Sequence, residues 1–210
     1  MTAELTVTIP GWDDGQRMPE RFGFCKLGDP TDIGDNISPE ISWTGAPEGT
    51  KSFAIILTDV SGPTSGEDVN QAGREVPVDL PRGPFVHWVL VDLPATTALV
   101  AEGAASSGVT KGGKPVGSML GGITGANDYT SWLSGDPEMA GTYGSYDGPC
   151  PPWNDALVHQ YNFEVFALDI ASLGIDGDAL TVTAAHEAMD GHVLASGVYV
   201  GTYTLNKRLA

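Results

Sequence analysis

Basic residues are scarce. Lys and Arg number 10 against 27 Asp and Glu in 210 residues, a formal net charge of −17. A polyanion meets repulsion over most of such a surface, which argues against nucleic acid and disfavours docking on an anionic bilayer. Cysteine is nearly absent, with only Cys25 and Cys150. One pair builds no disulfide scaffold and no CxxC is present for zinc, so two free thiols in a cytoplasmic protein are expected. No window reaches the roughly 18 apolar residues of a membrane-spanning helix. The start, MTAELTVTIPGWDDG, has no basic segment followed by an apolar one. Neither stable membrane insertion nor a secretory leader is therefore expected. GxSxG and HExxH are also missing, and no metal or cofactor is expected.

What is abundant is turn chemistry. Gly and Pro, 28 and 15 residues, make up about one residue in five, against 41% hydrophobic residues. That pairing indicates a real core built from short strands joined by many turns. Leu5, Val7 and Ile9 alternate with threonines and stop at Pro10. Ser52–Asp59 and Phe85–Leu93 are continuous apolar runs of strand length, the pattern of central strands covered on both faces. His159–Asp169 alternates cleanly, with Tyr161, Phe163, Val165 and Ala167 on one side. Ala179–Met189 reads as a helix with Thr181 or Thr183 as cap and Gly191 as stop. Val198–Leu205 closes the chain as a strand. Residues 28–36 and 60–84 read as loops, and 94–152 as a glycine-rich stretch with weak strand signals at 98–102 and 118–120. The expectation is one mainly β domain over 1–210, a β-sandwich with one or two short helices.

The histidines are few enough to take singly, four in all. His87 lies in Val86-His87-Trp88-Val89, inside a run that otherwise reads as buried. Such a histidine is either satisfied in the core or exposed where the strand meets a pocket. His159 opens a strand directly after a loop, and Asp59 ends one at another loop. Asp59 there is either a turn former or an orienter of a histidine. Tyr146-Asp147-Gly148-Pro149-Cys150-Pro151-Pro152 is a stiff turn with one small residue, suited to aiming N–H groups at an anion or to serving as a plain rigid loop. His186 is expected to be exposed and His192 to be structural.

Taken together and in order, these pieces resemble the phosphatidylethanolamine-binding protein (PEBP) family, in its bacterial branch of kinase-inhibitor-like proteins. The matching segments are Gly34-Asp35-Asn36-Ile37-Ser38-Pro39 with Ile41-Ser42-Trp43, Thr50-Lys51-Ser52-Phe53-Ala54, Asp59-Val60-Ser61-Gly62-Pro63, Val86-His87-Trp88-Val89, Tyr146 to Pro152, His159-Gln160-Tyr161 and Gly191-His192-Val193-Leu194-Ala195. The resemblance spans roughly Gly11 to Leu205. It implies a sandwich of two main sheets with a small pocket at one end that accepts phosphate, a carboxylate or a phospholipid head group. Carried over by residue, the ligand-binding set is Asp59, His87, Tyr146, Gly148, Cys150, His159 and Tyr161. In this reading both histidines donate to an oxyanion, Asp59 orients one of them, and Gly148 permits close backbone approach.

Two departures stand out. Where the family motif reads Asp-Pro-Asp-Ala-Pro, this chain has Val60 and Ser61 in place of its first proline and second aspartate. Losing a carboxylate at the rim favours a bare anion over a cationic ethanolamine. The stretch between Pro63 and His87 is also long for a bacterial member, either covering the pocket or forming a plain surface insertion. The leading expectation is a binding protein without enzymatic activity, on family likeness a kinase- or protease-inhibitor-like regulator and a homodimer, its protein partner unspecified. The alternatives are a small-ester hydrolase using Asp59, His87 and His159, and an interaction protein with a vestigial pocket. The acidic excess fits life in high salt and an ordinary acidic surface equally.

Overall fold

The computed structural model describes residues 3–210. Its centre is a sheet built on four long strands: Ser52–Pro63, Arg82–Pro94, His159–Leu168 and Val193–Tyr203. They pair antiparallel in the spatial order 193–203, 159–168, 52–63, 82–94. Short strands complete both edges, Gly117–Met119 and Gly122–Thr124 on one side and Ala3–Glu4 and Gln16–Arg17 on the other. The second layer includes a three-stranded sheet of Thr6–Thr8, Ile41–Thr44 and Leu99–Val100.

The apolar runs are continuous because both faces of the large sheet are covered. On one face Phe53, Ile55, Leu57, Trp88 and Phe163 pack with Trp43 and Phe22 in the main core. On the other, Ala54, Ile56, Val89 and Val91 pack with Leu180, Ala185 and Met189. The latter two residues come from the helix Val182–Met189, whose N-cap Thr181 accepts a hydrogen bond from Ala184 N. Burying apolar area on both sides supplies the stabilisation that a single-faced sheet would lack.

Three sequence expectations change. The loop expected at 60–84 is shorter, because the two central strands run on to Pro63 and restart at Arg82. Residues 28–36 contain the strand Thr31–Ile33, paired with Cys25–Leu27. Cys25 and Cys150 form a disulfide instead of two free thiols. The two lie 125 residues apart in sequence, so proximity was invisible to spacing arguments. Their pairing also removes the free thiols on which a cytoplasmic placement rested. Among the described residues, no helix is long and apolar enough to cross a membrane.

Candidate functional site

The site forms where the central strands end, and a strand irregularity creates it. Leu57 pairs with Trp88, but the next partner of the same strand, Thr58, pairs with Val86. His87 is therefore the extra, unpaired residue of a β-bulge. Bulges re-aim side chains near sites. This one leaves His87 and Trp88 both on the main-core side, whereas strict alternation would have sent His87 to the opposite face. A second irregularity, between Asp59 and Gly62, follows one strand over. There Asp59 Oδ1 accepts the Ser61 N–H at 2.7 Å and fixes the turn. Tyr161 sits opposite Asp59 in the adjacent strand.

These residues surround a cavity of about 330 Å³. Asp59, His87, Cys150, His159 and Tyr161 all line it, together with Phe85, Tyr129, Trp132 and Pro152. Tyr146 and Gly148, expected in the same set, do not line it. The Tyr146 hydroxyl is turned into the core and donates to Phe22 O at 2.7 Å. Gly148 is packed so tightly against the Phe22 carbonyl that no side chain would fit. Their positions support the wall from behind.

Four charged groups run along one side of the site in alternating sign. His159 donates from Nδ1 to Asp59 Oδ2 at 2.7 Å and from Nε2 to Asp155 Oδ2 at 3.0 Å. Arg82 closes the row with two bonds to Asp155, at 2.6 and 3.0 Å. Burial by itself would lower the His159 pKa, but the hydrogen bonds to Asp155 and Asp59 outweigh it and raise it to about 9. Asp155 shows the mirror image. Burial would raise its pKa, and the bonds from His159 and Arg82 bring it below the ordinary carboxylate value. His159 is thus a fully satisfied imidazolium, and the expectation that it donates to a ligand does not fit this geometry. Asp59 orients His159, not His87.

His87 has the opposite character. It is buried, and its Nδ1 donates to the backbone carbonyl of Asp147 at 2.7 Å. Burial lowers its pKa, with Asp59 and the Asp147 carbonyl opposing only in part. The neutral ring therefore carries its proton on Nδ1 and presents Nε2 as a hydrogen-bond acceptor. Behind it, Asp147 is held by Lys114 at 2.7 Å, Asn36 at 2.8 Å and Asn127 at 3.0 Å. Asn36 also accepts the Gly148 N–H through Oδ1 at 2.8 Å. This buried polar cluster fixes the turn whose carbonyl sets the His87 tautomer. The cavity-lining aromatics meet it edge-on, with ring centroids of His87 5.2 Å from Tyr161 and 5.5 Å from Tyr129.

The stretch after Pro63 contributes Thr64, Gly66 and Val69 to the cavity rim. It is anchored by Asn154, whose Nδ2 donates to the carbonyls of Asp68, Gln71 and Arg74. Arg82, Tyr129 and Asp155 were missed from sequence. Asp155 lies four residues before His159, and Arg82 is one of only 10 basic residues, so both left a faint signal. Tyr129 left none. No group of three or more His, Cys, Asp or Glu side chains among the described residues is placed to hold a metal ion.

The architecture defines a mainly β protein with a small aromatic-walled cavity at the ends of its central strands. The chain matches the phosphatidylethanolamine-binding protein family over residues 8–204 and belongs to it. A UPF0098 protein of Aquifex aeolicus is 33% identical over 96% of this chain and 89% of its own length. YbhB of Escherichia coli, another UPF0098 protein, is 31% identical over 79% of each chain. The crystal structure of Escherichia coli YbcL, described as a new member of the mammalian PEBP family, shares the fold. It has a TM-score of 0.68 at 24% identity, covering 96% of this chain and 99% of YbcL.

Proposed function

We propose that the protein is a small-ligand-binding module whose cavity takes a phosphate- or carboxylate-type group. The observation that carries this reading is the convergence of Asp59, His87, Cys150, His159 and Tyr161 on one cavity of about 330 Å³. A cavity of this size with apolar walls and few polar atoms has the make-up of a small-molecule site. Hydrolysis is less well supported. Both nitrogens of His159 are engaged, and Cys150 is held in a disulfide. His87 Nε2 is left as a base with no nucleophile bonded to it. The test is calorimetric titration of inorganic phosphate and phosphorylethanolamine into wild type and His87→Ala. Binding in wild type that weakens at least tenfold in the variant supports the reading. Equal binding in both, or none in either, removes it.

A further inference from the structure

The two ends of the Cys25–Cys150 disulfide sit in different surroundings. Cys150 is half-buried and lines the cavity. Cys25 does not line it, is 8% exposed and packs in the main core. The cavity itself opens to solvent, because Trp132 on its wall is 44% exposed. Thiol–disulfide exchange needs a thiolate to reach one sulfur directly, and access decides which sulfur is attacked. Here the open approach leads to Cys150. The bond is also the chief tie on that wall. Residues 149–152 read Pro-Cys-Pro-Pro, and Pro151 and Pro152 line the cavity beside Cys150. Prolines have no N–H to give. Among the described residues, the one hydrogen bond from this stretch to a distant part of the chain is Cys25 N–H to Pro149 O at 3.1 Å. The covalent tie and the hydrogen bond therefore both run to Cys25.

We propose that Cys150 is a site of reversible thiolation from within the cavity, by a small thiol without net negative charge. The thiolate of that molecule forms a bond to Cys150 Sγ, and the bond between Cys150 and Cys25 breaks. The electron pair leaves on the Cys25 sulfur, which takes up the proton that the small thiol gave up. One disulfide and one thiol become one mixed disulfide and one thiol, so no further oxidant or reductant is consumed. In the reverse step Cys25 attacks Cys150 Sγ and expels the small thiol, which makes Cys25 the resolving residue. The charge preference follows from the Asp59 carboxylate on the same wall and from an exterior at −17, both of which oppose an anionic thiol. The adduct fills part of the cavity, and the 149–152 wall loses its covalent tie. Thiolation thus shuts the site to other small molecules. This goes beyond the small-ligand reading and does not require it, because the cavity need only admit a thiol.

The experiment treats the oxidised, full-length protein at pH 8 without denaturant. Three reagents are compared: 2-mercaptoethanol, glutathione, which is anionic, and the protein dithiol thioredoxin, which is too large to enter. Freed thiols are alkylated at intervals, and the adduct is located by peptide mass spectrometry. Each rate is divided by the same reagent's rate on a small linear disulfide. 2-Mercaptoethanol is expected on Cys150, with Cys25 recovered as the alkylated thiol. Glutathione should be slower by about tenfold on this scale, and thioredoxin should leave the bond intact. In Cys25→Ser the remaining Cys150 should react with iodoacetamide about tenfold or more faster than Cys25 does in Cys150→Ser. An adduct on Cys25, a glutathione or thioredoxin rate equal to that of 2-mercaptoethanol, or a bond that opens only in denaturant overturns the inference. The wild-type measurements decide it even if either variant fails to fold. None of these readouts involves phosphate, so this inference and the small-ligand reading fail separately.

Discussion

The doubly bonded His159 makes stability depend on pH in a defined window. Its pKa is about 9 in the folded protein, against about 6.5 in an unfolded chain. The folded pKa is the higher one, so the stabilisation is complete below pH 6.5 and is lost as pH rises through 9. A difference of about 2.5 units, at 1.36 kcal/mol each, gives roughly 3 kcal/mol. It is counted once, on the histidine, because the same contacts also lower Asp155. The perturbation is His159→Gln, which keeps hydrogen-bonding capacity but cannot titrate. Urea unfolding of both proteins at pH 6, 7.5 and 9.5 measures the effect. The variant should be the less stable one at pH 6, where it leaves buried Asp59 without its cation and Asp155 with Arg82 alone. The gap should shrink by about 3 kcal/mol between pH 6 and 9.5. Other groups titrate in this range as well, but they do so in both proteins and cancel in the difference. Parallel stability curves across the window would refute the charge assignment of the whole row.

Further expectations follow from the supporting structure. The Cys25–Cys150 disulfide closes a segment of 125 residues, for which chain entropy in the unfolded state predicts about 5 kcal/mol. Thermal melts of Cys25→Ser/Cys150→Ser should fall by roughly 10–20 °C, and an unchanged melting temperature would show that the bond does not form. Gly148→Ala forces a methyl group into the Phe22 carbonyl, and chemical denaturation should register a loss of about 3 kcal/mol or more. Asn36→Ala strips Asp147 of a donor and leaves the buried Gly148 N–H unpaired. It should cost about 3 kcal/mol in the same assay, and a loss under 1 kcal/mol would mean the cluster is not a structural support.

Much of the large sheet could be read in advance because its strands are covered on both faces and so appear as unbroken apolar runs. The same property hid the feature that builds the site. In a run apolar on both sides, the slip of one residue at His87 leaves no trace, and Val86-His87-Trp88-Val89 looks like an ordinary central strand. Asp59 and His159 stood out in the sequence as residues at strand-to-loop junctions and Tyr161 entered through the family resemblance, and the structure brings all three to one cavity with His87 and Cys150. Tyr146 and Gly148 were placed one layer too far forward. Sequence marks the turn that contains them but not which way it faces. The roles of Asp155 and Arg82 depend on contacts made across 73 residues, and that of Asn36 on one across 111. No local pattern encodes such pairings. Val60 and Ser61, noted as departures, occupy the second irregularity, where the Ser61 hydroxyl accepts the Gln160 N–H at 3.0 Å.

The alternating row of charges beside the cavity has a consequence for how a ligand arrives. Opposite charges in close succession cancel within a few ångströms, so the interior projects almost no field outward. The exterior, at −17, does project one, and it opposes any approaching anion over about a Debye length. Capture and retention are therefore governed by separate physics. Added salt should hasten entry by screening the approach and leave the dwell time of a seated molecule nearly untouched, so ionic strength acts here as a throttle on encounter alone.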